Sequence, residues 1–131
     1  MVIERRSCAQ LAPPPGYSHV VIARGPTNVW TAGAVPLDAY GNLVGANDHA
    51  AQAGQVLDNL LAALHEADAG PEHVVKTTVY VVGDQAALAA VWEIVRASPI
   101  GAAQPASTLL GVERLGYRGQ LVEVEAVAVL A

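Results

Sequence analysis

Apolar residues recur every three or four positions in two stretches of the sequence, and this spacing predicts two amphipathic helices. The first helix should begin after a cap at Asn47 or Asp48 and end near Asp68, before Gly70-Pro71. Its apolar stripe is Ala53, Val56, Leu57, Leu60, Leu61 and Leu64, and its polar side is expected to hold Gln52, Gln55, Asp58 and Asn59.

The second helix should begin after Asp84 and end at Ser98-Pro99. Its apolar stripe consists of Leu88, Val91, Trp92 and Val95. Because each helix has one apolar side, both can pack on a sheet.

Runs of β-branched residues predict the strands. Residues 73–82 carry such residues at most positions, as is typical of a central strand, and a short strand is expected at Val2 to Glu4. Two further pairs of runs, His19 to Arg24 with Val29 to Val35 and Thr108 to Val112 with Leu121 to Val129, are each separated by a glycine-containing break. We predict a β-hairpin from each pair and a loop over Ile100 to Gln104.

The last strand should have two unlike faces, because side chains alternate along a strand. One face is apolar and is expected to pack under the helices: Val122, Val124, Ala126 and Ala128. The other face is mixed: Leu121, Glu123, Glu125, Val127 and Val129. Two carboxylates therefore share a face that meets water, a ligand or another subunit, and a simple solvated face is the plainest interpretation.

The element order is thus strand, hairpin, helix, strand, helix, hairpin. This order predicts an α+β fold in which both helices cover one face of a single mixed sheet. At 131 residues the chain fits one domain, 1–131.

Composition predicts assembly and excludes some partners. Apolar residues make up 53% of the chain and charged residues 15%, which is more apolar surface than one small subunit readily hides, so an oligomer is expected. A net charge of −5 and a single lysine, Lys76, argue against nucleic acid. No apolar run approaches the roughly 20 residues of a membrane helix. The lone Cys8 and an N-terminus without an apolar secretion core predict a cytoplasmic protein.

Common cofactor and metal motifs are missing from the sequence. There is no glycine-rich phosphate loop after a strand, no paired-cysteine spacing and no HExxH order among the histidines. We therefore expect neither a cofactor nor a metal. Patterns alone predict a soluble α+β oligomer subunit.

The chain resembles the RidA (YjgF) family over nearly its whole length. The likeness is carried, in order, by residues 17–21, 31–38, 52–60, 74–81, 105–108 and 122–128. It implies a chorismate-mutase-like fold (bacillus type) in which three subunits surround a central barrel of strands, with ligand clefts between subunits. Family members with the full site hydrolyse reactive enamines and imines to 2-oxo acids and ammonia.

Several positions match the family's site. The resemblance implies that Glu123 positions the attacking water, that Tyr17 walls the cleft and that the backbone near Gly33 approaches the ligand. Asn59 and Lys76 also match family positions, and we interpret both as structural.

Other positions depart from the family pattern. Ser107 stands where deaminating members have an arginine that clamps the substrate carboxylate, and Thr108 offers a second hydroxyl. Ala34 replaces a glutamine, Trp92 an asparagine and Leu109 a cysteine. Charge-assisted hydrogen bonds contribute about 1.5 to 3 kcal/mol each, so losing a two-pronged clamp should weaken carboxylate binding by roughly a hundredfold or more. Arg118 is a candidate substitute cation, although a surface role for it is the simpler interpretation.

Two hypotheses stay open at this point. The chain is either a hydrolase of imines, enamines or related small carbonyl compounds, or a protein that binds a small metabolite or a partner without chemistry. General deamination of amino-acid imines is doubtful without the arginine. An RNA-cleaving role conflicts with the charge of −5.

Overall fold

The computed structural model describes residues 2–131, and its helices and strands are mostly those that the sequence predicts. In chain order they are β1 (Val2–Arg6), β2 (Val20–Arg24), β3 (Thr27–Trp30), α1 (His49–Glu66), β4 (Val74–Val82), α2 (Gln85–Ala97), α3 (Pro99–Ala102), β5 (Ala106–Val112) and β6 (Val122–Leu130). A 3₁₀ turn at Pro71–His73 leads into β4.

Both long helices begin at the predicted aspartates. The Asp48 carboxylate accepts a hydrogen bond from Ala51 N–H at 3.0 Å, and the Asp84 carboxylate accepts one from Ala87 N–H at 3.0 Å. Each side chain thus satisfies a backbone donor that has no partner within the helix.

The strand β4 is central, as predicted, but both predicted hairpins are wrong. Four strands lie in the order β3-β6-β4-β5, so β4 separates β5 from β6, pairing parallel with the first and antiparallel with the second. The strand β2 pairs with β1 in a separate two-stranded sheet, while β3 pairs with β6. Two sheets therefore replace the predicted single one. The pairing of β4 with β5 is parallel because α2 carries the chain back across the sheet, as a parallel crossover requires.

Two local predictions also need correction. The segment 100–104 is not all loop, since α3 reaches Ala102. The strand expected over 29–35 ends at Trp30. Beyond it, Thr31 Oγ1 accepts the Ala126 N–H at 3.0 Å, and Ala34 exchanges backbone hydrogen bonds with Val124 at 2.7 and 3.3 Å. The chain between these two contacts leaves the strand and carries Gly33.

The core lies between the two long helices and the four-stranded sheet. From the sheet it receives Val74, Val79, Val81, Val122, Val124, Ala126 and Ala128, and from the helices it receives Val56, Leu60, Leu64, Val91 and Val95, all buried. The predicted faces of β6 are thereby confirmed: the apolar one lies under α1, and Glu123 and Glu125 lie half-buried on the opposite face, which we call the open face.

Gln52 is buried, although the sequence predicts it on the polar side of α1. Its Nε2 donates to Gly45 O at 3.1 Å and to Gly119 O at 3.0 Å, and its Oε1 accepts the Leu121 N–H at 2.7 Å. A buried amide is tolerated here because its donors and its acceptor have partners. Gln52 thus ties α1 to the loop that precedes β6.

We predict that Gln52→Ala lowers the free energy of unfolding by about 3 kcal/mol or more, because it leaves buried backbone groups without partners. Urea unfolding at equal protein concentrations measures the change. Gln55→Ala is the matched control on the same helix: it loses one hydrogen bond, to Asn59, and should cost about 1 kcal/mol. Equal losses in the two variants would contradict the role given to Gln52.

Candidate functional site

Glu123 is held on the open face of the sheet by Gln120. The Gln120 Nε2 donates to Glu123 Oε1 at 3.0 Å and to Val122 O at 3.1 Å, while its Oε1 accepts the Tyr117 N–H at 3.1 Å. Gln120 is only 3% exposed, so its amide is fixed by packing as well as by hydrogen bonds. Among the residues that the structure describes, none donates a hydrogen bond to Glu123 Oε2, which leaves this oxygen available to water or a substrate.

Gly33 lies directly against this carboxylate. A Cβ at position 33 would overlap the carboxyl group of Glu123, so the close approach requires glycine. Ala34, hydrogen-bonded to Val124, fixes the segment in register with β6. The structure thus brings Gly33, Ala34 and Glu123 together, and we call these three residues the Glu123 half-site.

Asn59 supports this half-site from α1. Its Nδ2 donates to Val35 O at 2.8 Å and to Leu37 O at 2.9 Å, and its Oδ1 accepts a hydrogen bond from Gln55 at 2.9 Å. These bonds hold the irregular segment after β3 in place. A cavity of about 440 Å³ between that segment and the end of α1 lies beside the half-site.

Ser107 lies in a different cavity, on the helix-facing side of β5. This cavity of about 270 Å³, which we call the Ser107 pocket, is lined by Pro15, Tyr17, Trp92, Ser107 and Leu109. The side chain of the buried Thr77 on β4 donates to Ser107 Oγ at 2.8 Å.

Tyr17 reaches this pocket because the next residue is attached to the start of β5. Ser18 N–H donates to Pro105 O at 3.2 Å, and Ser18 forms a parallel bridge with Ala106. The Trp92 indole N–H donates to Pro15 O at 3.0 Å, and its ring meets that of Tyr17 edge to face, with centroids 6.2 Å apart. The end of the proline-rich loop is therefore held against α2 and against the start of β5.

Thr108 and Arg118 do not join Ser107. Thr108 points to the open face, where its Oγ1 accepts a hydrogen bond from Lys76 Nζ at 2.9 Å. Arg118 is exposed on the loop beyond the far end of β5 and lines another cavity with Arg114. The length of β5 alone separates that loop from Ser107 by roughly 16 Å, at about 3.3 Å per residue.

The Ser107 pocket and the Glu123 half-site lie far apart in one chain. Ser107 pairs with Thr77, Thr77 with Ala126, and Glu123 is three residues along β6 from Ala126. With strands about 4.8 Å apart and residues about 3.3 Å apart, the two positions are separated by roughly 14 Å, and their side chains lie on opposite faces.

Tyr17 and Gly33 are still farther apart. From Ser18 the sheet runs through Ala106, Lys76 and Val127 to Trp30, which makes four strand spacings. At about 4.8 Å each, these amount to roughly 19 Å. A ligand much shorter than about 14 Å cannot contact both the Ser107 pocket and the Glu123 half-site of the same chain.

Sequence reasoning missed two residues that support the site, Gln120 and Thr77. The sequence does indicate Thr77, because a threonine at a helix-facing position of a central strand must find a hydrogen-bond partner. No sequence pattern indicates Gln120, because tertiary contacts set the turn that directs its amide to Glu123.

Glu125, the other carboxylate of the open face, already has a partner. The Tyr80 hydroxyl donates a short hydrogen bond to Glu125 Oε1. This bond, together with burial and the negative charges of Glu125 and Glu123, raises the pKa of Tyr80 above its ordinary value. The two glutamates therefore differ: one is engaged by a phenol, whereas the other keeps an oxygen available.

We predict that Tyr80 ionises at a higher pH than an ordinary tyrosine, and that Glu125→Gln lowers its pKa only part of the way to the ordinary value, because burial and the charge of Glu123 remain. The pKa of Tyr80 is higher in the folded protein than in the unfolded chain, where it is about 10. The hydrogen bond therefore stabilises the fold fully when the pH is below the unfolded-state pKa, and this stabilisation is lost as the pH rises through the folded-state pKa. Ultraviolet titration of the phenolate band measures this, with Tyr80→Phe to identify the signal. A single uniform transition in the unsubstituted protein would contradict the assignment.

Two other properties bear on the possible chemistry. Within residues 2–131 no group of three or more histidine, cysteine, aspartate or glutamate side chains is arranged to hold a metal ion. Over the same residues, no helix has the length and apolar character needed to cross a membrane.

Comparison with known proteins places these features in context. The family model described as Endoribonuclease L-PSP matches residues 8–130. A RutC family protein of Synechocystis, slr0709, is 40% identical over 124 residues, which cover 93% of this chain and 92% of that protein.

Solved structures agree with this match. A Yersinia pestis protein of the conserved Rid family, YyfB, whose function is described as unknown, is 37% identical and superimposes with a TM-score of 0.92, covering 99% of this chain and 100% of that one. A putative endoribonuclease of Thermotoga maritima, TM0215, is 27% identical with a TM-score of 0.71, covering 97% and 93%.

Proposed function

The chain belongs to the RidA (YjgF) family, whose family model is described as Endoribonuclease L-PSP, and from that premise we propose a homotrimer that binds a small molecule between its subunits. The observation that best supports this proposal is the separation of the Ser107 pocket from the Glu123 half-site within one chain. They lie at opposite edges of the four-stranded sheet, with Gly33 just beyond β3 and Ser107 on β5. A neighbouring copy that brings its β5 edge to the β3 edge of the first would complete a cleft.

The open face supplies a surface for this assembly. It carries apolar side chains beside its carboxylates, among them Leu110, Val112 and Val127, and Trp30 at its edge is 74% exposed. An exposed tryptophan on a sheet face is typical of an interface. Contact between unlike edges can repeat around a rotation axis and close as a ring, and a ring of three fits a chorismate-mutase-like trimer with a central barrel.

Two expectations from the sequence accompany this proposal. We propose that residues 1–131 act as one domain, because β6 receives partners from both halves of the chain. The cytoplasmic location stays a prediction.

We predict that sedimentation at micromolar concentration gives the mass of three subunits. Trp30→Glu should shift the protein toward monomers, because it places a charge in the proposed interface. Tyr40→Glu changes another exposed aromatic residue, which is 91% exposed on a turn, and should leave the mass unchanged. A stable monomer of the unsubstituted chain would contradict the trimer.

In this cleft we propose that Glu123 activates water for hydrolysis of an imine, an enamine or a related small carbonyl compound. Its free oxygen, Oε2, accepts a proton from water as the water oxygen bonds to the imine carbon and the C=N π electrons move to nitrogen. The proton then passes to that nitrogen, which gives a carbinolamine. The proton of its hydroxyl group moves to the nitrogen in turn, the C–N bond breaks as the C=O bond forms, and ammonia and a carbonyl compound are released. Such general-base assistance typically contributes 10²- to 10⁴-fold in rate.

The nature of the cleft favours a small neutral substrate over RNA. A net charge of −5 and one lysine give little attraction for a phosphate backbone, and Lys76 is engaged with Thr108. Ser107 supplies no positive charge for a carboxylate. The second hypothesis is that the cleft binds a small molecule without chemistry. The serine at position 107 supports both hypotheses, and they differ only in whether Glu123 acts on water.

We predict little or no acceleration of 2-oxo acid release from the imines that a dehydratase makes from serine or threonine. Benzaldimine, generated from benzylamine by a flavin amine oxidase, is a neutral alternative whose conversion to benzaldehyde should be accelerated. Glu123→Gln should lower that rate about 10²-fold or more, whereas Glu125→Gln, the matched control on the same face, should change it little.

Three results separate the hypotheses. Loss of activity in Glu123→Gln alone supports the hydrolase. Binding of small molecules without any hydrolysis supports the second hypothesis. Fast deamination of the serine imine by the unsubstituted protein would contradict the neutral cleft and would require another cation beside Ser107.

A further inference from the structure

The walls of the Ser107 pocket are mostly aromatic and aliphatic. The indole N–H of Trp92 is used by Pro15 O, so the ring offers the pocket carbon surface and not a donor. Tyr17 stands edge-on to it at an interplanar angle of 73°, and Leu109 adds an aliphatic side. Aromatic rings pack well against such edge-to-face walls.

No charged side chain of the described residues lines this pocket. The nearby Arg96 packs its side chain on Gly16, pairs with Glu93 at 3.5 Å and is not among the residues that line the pocket. His19 meets Tyr17 edge to face, with ring centroids 6.0 Å apart, and its Nδ1 accepts the Cys8 N–H at 2.9 Å. A ligand carboxylate would lose water here without gaining a cation.

Ser107 and the Tyr17 phenol are the polar side chains that line the pocket, and a neighbouring hydroxyl sets the hydrogen-bonding role of Ser107. Thr77 is 1% exposed and donates its hydroxyl hydrogen to Ser107 Oγ. With Thr77 as the donor, the hydrogen of Ser107 itself is available to a ligand. It suits an acceptor atom, such as a carbonyl oxygen or an imine nitrogen.

We propose that the Ser107 pocket selects uncharged ligands in which an aromatic ring or similar apolar group is joined to a carbonyl or imine, and that Trp92 and Ser107 determine this specificity. This inference rests on the proposed function, since it names the ligand class of the same cleft. The ring lies against Trp92, Tyr17 and Leu109, and the acceptor atom takes the hydrogen bond from Ser107.

Benzamide and benzoate form a matched probe pair, because they have nearly the same shape and differ in charge. The chain has two tryptophans, so Trp30→Phe leaves Trp92 as the sole indole reporter. In this background we expect benzamide to change Trp92 fluorescence and to bind about tenfold more tightly than benzoate or better.

Adjacent hydroxyls provide the control variants. Ser107→Ala should weaken benzamide binding about three- to tenfold, whereas Thr108→Ala, on the opposite face, should leave it unchanged. Ser107→Arg should reverse the preference in favour of benzoate, because it restores a cation to the pocket. Equal binding of the two probes, or equal effects of the two alanine variants, would overturn the proposal.

The test also distinguishes this inference from the proposed hydrolase. If benzamide binds equally to the Trp30→Phe protein with and without Glu123→Gln, while no imine is hydrolysed, the pocket assignment holds and the catalytic function fails. If an aliphatic imine is hydrolysed but neither benzamide nor benzoate affects Trp92, the catalytic function holds and the pocket assignment is overturned.

Discussion

The position of β4 between β5 and β6 is the constraint on which the rest of the molecule depends. Parallel pairing on one side and antiparallel pairing on the other fix the register of all three strands. That register sets Ser107 and Glu123 roughly 14 Å apart on opposite faces. The distribution of polar groups then follows from strand alternation: Thr77 and Ser107 meet on the helix-facing side, while Lys76 and Thr108 meet on the open face.

Three side-chain amides hold the residues of the candidate site in place on this sheet. Gln52 fixes the loop before β6, Gln120 holds one oxygen of Glu123, and Asn59 holds the segment that follows Gly33. Each satisfies backbone or carboxylate groups in places where regular secondary structure ends, so irregular segments stay ordered without helix or strand pairing. The other carboxylate of the open face, Glu125, is occupied by Tyr80, which leaves Glu123 as the acid group suited to water.

Sequence periodicity predicted the helices, their aspartate caps and the central strand well, because these features depend on residues close together in the chain. Periodicity did not predict the strand pairing. The loop between β5 and β6 is long enough to cross β4, and no local sequence pattern indicates that crossing. Periodicity also misplaced Gln52, because partners from residues 45, 119 and 121 decide the burial of that amide. The family resemblance named Tyr17, Gly33, Ser107 and Glu123 and implied clefts between subunits. The structure shows which of these residues one chain brings together, namely Tyr17 with Ser107 and Gly33 with Glu123.

The central claim is that two copies of the chain complete each cleft, and cross-linking tests it most directly. In a Cys8→Ser background, Tyr17→Cys and Ala32→Cys place thiols at opposite edges of the sheet, and Tyr17 and Gly33 are separated by roughly 19 Å within one chain. A bifunctional thiol reagent much shorter than that distance should produce covalent dimers and trimers on a denaturing gel, while either single-cysteine variant should not. Chains that remain uncoupled, or that couple only within themselves, would contradict a cleft shared between subunits.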